Sequence, residues 1–440
     1  MTELNPLKVV VFGLGYLGAT HAACMAELGH EVLGIEVDQL RREKIADGHL
    51  PFYEPGLSEL LRKHLASGTL RVSDSYAEAA EWGEVFFIAV GTPQKKGESR
   101  ADLQYVDSVV EQIVPLMNRD AIILGKSTVP VGTCRRLTDR IDQLANDGVH
   151  VELAWNPEFL REGHAISDTL RPDRLVLGCD PGGRAEKVTY QVYSRIIDEG
   201  VPFLVMDTAS AEIVKAAANS FLATKISFIN AVAEVCEASG ADIKQVADAI
   251  GYDDRIGSKF LNAGLGFGGG CLPKDIRAFQ ARAGELGASS AVGLLREVDF
   301  INMNRRTRMV EIARRACDGN LLGKRVAVLG ASFKPESDDV RDSPALNVAG
   351  QMQLQGASVV VYDPEAIDNS AKVFPTLDYA PTAQEACAGA DLVMVLTEWK
   401  EFSRLNPTQL GSEVRKKAVV DGRMCLDRRA WELAGWNYLC

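Results

Sequence analysis

Short apolar runs alternate with amphipathic stretches through the first half of the chain, the pattern of a mainly parallel sheet with crossover helices. Runs at Lys8–Phe12, Glu31–Val37, Val85–Val90, Ala121–Lys126 and Val151–Trp155 predict strands, and Arg174–Gly178 and Pro202–Met206 extend the same sheet. Helical spacing falls in Gly15–Leu28, Asp102–Met117 and Thr133–Leu144. After Asp207 the pattern changes. Ser210 to Ser239 contains neither Gly nor Pro, repeats Ile213, Ala217, Phe221, Ile226, Ile229 and Val232 at helical spacing, and meets a stop signal at Gly240. A helix of about 30 residues spans about 45 Å, which suits a connector better than a sheet layer. A second Pro-free helical stretch runs from Ala291 to Ala316, and a glycine-rich loop lies between the two. Strand patterns return at Arg325–Gly330, Ser358–Tyr362, Leu392–Leu396 and Ala418–Asp421, with a helix at Pro344–Gln355.

The expected fold is therefore α/β, with two Rossmann-like doubly wound domains joined by an all-α middle domain. The expected divisions are residues 1–207, 208–318 and 319–440. A chain of 440 residues exceeds what one core usually serves, which agrees with several domains. The net charge of −12 argues against a broad nucleic-acid surface. Met1–Pro6 leads straight into a strand without a signal-peptide pattern, and no apolar run approaches a membrane span, so a cytoplasmic location is expected. The nine cysteines are scattered and form no C-x-x-C pair, and the six histidines have no ligand spacing, so neither a disulfide framework nor a metal site is expected.

The first strand leads into Gly13-Leu14-Gly15-Tyr16-Leu17-Gly18, then a helix, then a second strand ending near Glu36. In this order the motif is a dinucleotide fingerprint. Gly13 permits the tight turn, Gly15 lets backbone approach a pyrophosphate, and Gly18 lets helix and strand pack closely. An acid at position 36 accepts from the ribose hydroxyls and repels a 2′-phosphate, which favours NAD over NADP; Asp38 is the alternative acid, and Arg41 is the residue able to accommodate the extra phosphate.

The most informative segment is Gly264-Leu265-Gly266-Phe267-Gly268-Gly269-Gly270-Cys271-Leu272-Pro273-Lys274-Asp275. Five glycines ahead of a cysteine give a backbone able to wrap a ligand. Lys274 is placed to favour the thiolate, and Asp275 to take a proton from the thiol or from a water. Lys215 and Asn219 lie one turn apart on the long helix, where an amine and an amide together suit an oxyanion, although such a pair alone is usually a solvated face. Asn156-Pro157-Glu158-Phe159-Leu160-Arg161-Glu162-Gly163 puts two carboxylates four residues apart: Glu158 as a base for water and Glu162 toward the cofactor, or a helix N-terminus dressed with acids. Ser127-Thr128-Val129-Pro130-Val131-Gly132 places hydroxyls just beyond a strand's carboxyl end, where α/β ligands bind.

These residues carry a resemblance. GLGYLG, STVPVG, NPEFLREG, the Lys215–Asn219 segment and FLNAGLGFGGGCLPKD resemble, in order, the motifs of the UDP-glucose/GDP-mannose 6-dehydrogenase family, nearest the bacterial branch acting on UDP-glucose. The resemblance implies oxidation of UDP-glucose to UDP-glucuronate with two NAD molecules, through a thiohemiacetal and a thioester on Cys271. It implies oxyanion donors in Lys215 and Asn219, a carboxylate partner of the nucleophile in Asp275, and a hydrolytic water held by Glu158 and Thr128. Cofactor contacts are implied for Tyr16, Leu17, Thr92, Thr128, Glu162, Lys274 and Arg341, beside the fingerprint glycines, Glu36 and Arg41. Substrate contacts are implied for Phe159, Leu160, Phe260, Leu261, Asn262, Ala263, Gly264, Gly268, Phe333, Lys334 and Arg423. Arg255 is expected to reach across the interface of a homodimer or higher oligomer.

Three departures stand out: Glu36 where Asp is common, Gly270 where Ser is frequent, and Asn262 where animal relatives carry Lys. The rival readings are the GDP-mannose branch, a β-hydroxyacid dehydrogenase that oxidises once and needs no cysteine, and an NAD-binding sensor.

Overall fold

The computed structural model describes residues 6–440; residues 1–5, read above as the lead into the first strand, lie outside the described residues. The first sheet has eight strands: β1 (Lys8–Phe12), β2 (Glu31–Ile35), β3 (Leu70–Ser73), β4 (Val85–Ile88), β5 (Ala121–Gly125), β6 (Val151–Trp155), β7 (Leu175–Gly178) and β8 (Phe203–Met206). Their order is β3-β2-β1-β4-β5-β6-β7-β8, parallel except where Trp155 of β6 meets Gly178 of β7 antiparallel. Its inner strands are buried on both faces, as a sheet covered by crossover helices requires. Val9 and Val11 pack with Ala22 and Met25 of the first helix (Tyr16–Glu27), while Val10 and Phe12 pack with Val106, Val110 and Ile113 on the other side.

The second sheet has six strands: β9 (Arg325–Leu329), β10 (Ser358–Tyr362), β11 (Asp378–Tyr379), β12 (Leu392–Val395), β13 (Ala418–Asp421) and β14 (Asn437–Leu439). They run parallel in the order β11-β10-β9-β12-β13-β14. Val326 and Val328 face one apolar layer and Ala327 and Leu329 the other. The two parallel α/β sheets and the helical middle region agree with the expected fold class. β3, β11 and β14 were not expected; each is a sheet-edge strand of two to four residues, too short for an alternation to register.

In the chain, the segment between the two sheets forms a long helix, Thr208–Ser239, of 32 residues, a shorter one at Leu272–Glu285, and another at Leu294–Ala316. The structure forms two compact units. One comprises the chain through Ala218 together with Arg277–Leu286; the other comprises Asn219–Ile276 and Gly287–Cys440. The long helix belongs in part to each. No helix among the described residues is long and apolar enough to cross a membrane.

Candidate active site

In the first unit the three fingerprint glycines have separable reasons. Gly13 takes φ +84°, a conformation that disfavours a side chain. A Cβ on Gly18 would lie 1.7 Å from the Gly13 carbonyl oxygen, so close packing excludes any other residue. A Cβ on Gly15 would meet nothing within 4 Å, which leaves the space before the first helix open to a pyrophosphate. Glu36 follows β2 and is buried; its Oε2 accepts from Leu14 N–H at 3.0 Å and Arg41 Nη1 at 3.2 Å, and its Oε1 accepts from Asp38 N–H at 3.0 Å. An ionised carboxylate offers about four lone-pair sites, so Oε1 retains one for a ribose hydroxyl. Asp38 is occupied otherwise: it caps the helix Gln39–Ala46 through Arg41 N–H. The loop, the helix terminus and the acid therefore fit NAD, and Arg41 is already paired with Glu36.

Asn156–Gly163 is a loop rather than a helix start; the helix begins at Ala165. Glu158 therefore does not share a helical face with Glu162. Its Oε2 accepts from Leu160 N–H at 2.7 Å, and its Oε1 stands 2.9 Å from Lys215 Nζ. Lys215 is 5% exposed, which rules out the solvated-face reading, and its Nζ lies 5.6 Å from the centre of the Phe159 ring. Thr128 follows β5, and its carbonyl accepts from the Thr92 hydroxyl at 2.8 Å. The Tyr16 hydroxyl bonds Glu54, whose carboxylate also accepts from Gly163 N–H at 2.6 Å and Ala165 N–H at 2.7 Å, so the fingerprint helix is tied to the loop after β6. Burial pushes the Tyr16 hydroxyl pKa up, and Glu54 and Glu162 add to the effect, so it acts as a neutral donor.

Lys126, which the strand pattern includes in the run Ala121–Lys126, directly follows β5. It is fully buried, donating to Asn156 Oδ1 at 3.0 Å and to the Tyr193 hydroxyl at 3.4 Å. Burial lowers its pKa to about 8, with Lys215 adding to the effect and Glu158 opposing it.

In the second unit Cys271 is exposed and directly precedes the helix Leu272–Glu285, so the thiol stands at the partly positive end of that helix. Cys24, Cys134, Cys179, Cys236, Cys317 and Cys387 are buried. Asp275, one turn on, is 3% exposed; its Oδ2 accepts from Asn219 Nδ2 at 2.7 Å and its Oδ1 lies 2.9 Å from Lys274 Nζ. Asn219 is thereby held by the carboxylate nearest the nucleophile. Gly270 also gains a reason: a Cβ there would lie 2.3 Å from Cζ of Arg341, so the guanidinium fills the space a serine would need. Arg341 itself pairs with Asp339 at 2.6 Å.

The loop ahead of the cysteine starts at Phe260, whose φ of +64° is unusual for a bulky residue and stores local strain. Leu261 and Ala263 are buried, and Asn262 is exposed. Gly264 and Gly268 sit where a Cβ would meet the Gly422 and Asp342 carbonyl oxygens at 2.9 and 2.4 Å. Lys334 Nζ lies 5.6 Å from the Phe333 ring centre. Arg423 donates to the carbonyls of Leu396, Gly266 and Phe333 at 2.9, 3.0 and 3.3 Å, so it joins the glycine loop to the second sheet. Arg255 is solvent-exposed and paired with Asp253 at 2.6 Å. Asp363, after β10, stands where Glu36 stands in the first sheet, but Oδ2 alone takes Ala331 N–H, Ser332 N–H, the Ser332 hydroxyl and Trp399 Nε1. That acid is consumed by its own fold, so the second sheet does not repeat the ribose site of the first.

Sequence reasoning missed Lys126, Glu54 and the buried polar residues behind the glycine loop: Asn230, Asn302, Arg305 and Arg306. None lies in a recognisable motif, and a polar residue inside a helix carries no mark of being turned inward.

With this geometry in view, comparison with known proteins is specific. Residues 7–197, 209–304 and 327–428 match the NAD binding, central and UDP binding domains of the UDP-glucose/GDP-mannose dehydrogenase family. The chain is 40% identical over 418 residues to UDP-glucose 6-dehydrogenase of Rhizobium meliloti, covering 95% of each protein. It is 38% identical to UDP-glucose 6-dehydrogenase YwqF of Bacillus subtilis, covering 98% of this chain and 97% of that one. A solved UDP-glucose dehydrogenase from Pyrobaculum islandicum superposes with a TM-score of 0.91 at 37% identity, over 100% of this chain and 98% of that one. The chain belongs to the UDP-glucose/GDP-mannose dehydrogenase family of NAD-dependent oxidoreductases.

Proposed function

We propose that this chain oxidises C6 of UDP-glucose from alcohol to carboxylate, holding the sugar on Cys271 between two oxidations. The observation that carries the reading is an exposed thiol, Cys271, at a helix N-terminus, after a glycine loop, with the buried Asn219–Asp275 pair one turn along its helix. NAD, when bound, accepts a hydride in each oxidation. Cys271 adds to the aldehyde carbon, forming a C–S bond while the carbonyl becomes a hydroxyl. The second oxidation turns this thiohemiacetal into a thioester. Water then attacks, the C–S bond breaks, and carboxylate and thiol are released. Lys215 and Asn219 donate to the oxygen as it gains charge. Glu158, fixed by Leu160 N–H and Lys215, takes the proton from the attacking water, with Thr128 helping to place it. Asp275 accepts the thiol proton. Lysine partners for Glu158 and Asp275 avoid leaving an unpaired charge inside the protein.

Cofactor contacts follow from Gly13, Gly15, Gly18, Glu36 and Arg341, and substrate contacts from Phe260–Gly264, Phe333, Lys334 and Arg423. UDP-glucose is favoured over GDP-mannose because both curated relatives and the solved structure above bear that name. A homodimer is part of the proposal. Phe221, Phe228 and Val235 are 66, 55 and 67% exposed on one helix at intervals of seven residues, a stripe suited to a second copy of the same helix. A cytoplasmic location is also part of the proposal; the buried cysteines Cys24, Cys134, Cys179, Cys236, Cys317 and Cys387 fit a reducing compartment.

The test is a count of NADH formed per UDP-glucose consumed. Two supports the reading. One defeats it in favour of a single-step dehydrogenase, and turnover of GDP-mannose alone overturns the substrate.

A further inference from the structure

Three glycines, Gly268–Gly270, separate Phe267 from the Cys271 thiol, and such a segment has more backbone freedom than any other tripeptide. A nucleophile at the end of it is useful only if something outside the loop fixes where the segment starts. The structure supplies such a fixture on the return helix. Asn302 is 1% exposed, and both ends of its amide engage one residue: Oδ1 accepts from Phe267 N–H at 2.8 Å, and Nδ2 donates to the Phe267 carbonyl at 3.0 Å. The fit extends to the neighbouring glycine. Gly266 takes φ +91°, and a Cβ on it would lie 2.3 Å from Asn302 Oδ1.

One turn along the same helix face, Arg305 Nε donates to the Gly264 carbonyl at 2.9 Å while Asn230 Oδ1 takes the Gly264 N–H at 2.8 Å. Arg306 reaches both the Phe267 carbonyl at 3.5 Å and the Asp342 carboxylate at 2.8 Å. Beyond Phe267, Gly269 N–H donates to the Arg341 carbonyl at 2.9 Å, and the helix Leu272–Glu285 takes over at the cysteine. Asn302 is thus the side chain that holds both backbone groups of Phe267, the last non-glycine residue before the cysteine.

We propose that Asn302 is the positioning residue of the nucleophile loop, setting where the Cys271 thiol stands relative to the aldehyde. The proposal rests on Cys271 being the covalent residue. Its consequence is particular to the second half of the reaction: when the loop drifts, the first oxidation still yields aldehyde, but capture by sulfur lags and aldehyde escapes.

The test uses Asn302→Asp, which keeps the acceptor for Phe267 N–H and replaces the donor to the Phe267 carbonyl with a repelling oxygen. Gly266→Ala attacks the same grip from the loop side and stands in where the aspartate variant fails to fold. Full-length protein is assayed for NADH per UDP-glucose, for aldehyde trapped by added hydroxylamine, for the rate of Cys271 alkylation by iodoacetamide, and for NAD binding by fluorescence. The expected result is NADH per sugar falling from two toward one, trapped aldehyde appearing, overall kcat down by about 10–10²-fold as for a misplacement of about 1 Å, altered alkylation, and unchanged NAD affinity. A variant that melts earlier but still yields two NADH without trapped aldehyde would overturn the proposal and leave Asn302 as fold support. Wild-type enzyme yielding one NADH, or resisting inactivation when Cys271 is alkylated, would instead sink the underlying reading of the cysteine.

Discussion

Replacing Lys126 by methionine should stabilise this protein near neutral pH, although it deletes two hydrogen bonds. In the folded chain the Lys126 ammonium is enclosed, and its pKa falls from 10.5 to about 8. At 1.36 kcal/mol per pKa unit, keeping it charged in the fold costs about 3 kcal/mol. Methionine forfeits the bonds to Asn156 and Tyr193, at about 1 kcal/mol each. It leaves no orphan acceptor, because the Tyr193 hydroxyl still donates to Asn156 Oδ1 at 2.8 Å. A net gain of about 1 kcal/mol is expected at pH 7. Between about 8 and 10.5 the folded lysine binds fewer protons than the unfolded one, so wild-type stability rises with pH across that window. The gain from methionine is therefore complete below about 8 and gone, or reversed, by pH 10. Melting of both proteins at pH 7 and pH 10 reads the difference, and a lysine Cε NMR titration reads the group itself. A methionine variant destabilised equally at both pH values, or Lys126 titrating with the surface lysines, would refute the reasoning. The Lys126 cation feels both the Glu158 carboxylate and the Lys215 ammonium.

Gly18→Ala should not fold normally, since its Cβ would strike the Gly13 carbonyl, whereas Gly15→Ala should melt like wild type and bind NAD about tenfold more weakly, as calorimetry with NAD would show. Lys215→Ala should lower kcat by about 10²–10³ with little change in KM for UDP-glucose, the loss typical of one oxyanion donor; a change confined to KM in steady-state assays would remove it from the chemistry. If the proposed homodimer uses the exposed stripe, Phe228→Asp should yield monomer in sedimentation velocity, and an unchanged sedimentation coefficient would take the stripe out of any interface.

The legible and illegible parts of this sequence differ for physical reasons. Strands with buried apolar faces announce themselves in the sequence, so β1, β6, β10 and β13 match their expected limits to the residue, although Glu152 interrupts the apolar run of β6. The fingerprint was legible because each glycine answers a separate backbone demand. The alternative for Glu158 and Glu162, a helix N-terminus dressed with acids, is not formed, because the segment stays a loop after Pro157. Lys126 and the Asn302–Arg306 stretch were invisible because polar and charged residues at a strand end or along a helix are usually solvated. Which polar side chain turns inward depends on what packs against it, and that information lies in distant segments such as Tyr193 or the glycine loop.

The account stands on a covalent bond between Cys271 and the carbon being oxidised. Rapid quenching during turnover of UDP-glucose with NAD, followed by mass spectrometry of the peptides, observes that bond directly. A sugar-nucleotide adduct on the peptide containing Cys271, lost in Cys271→Ser, is the predicted result. An adduct on another cysteine, or turnover to the acid by the serine variant at a near-normal rate, would contradict it.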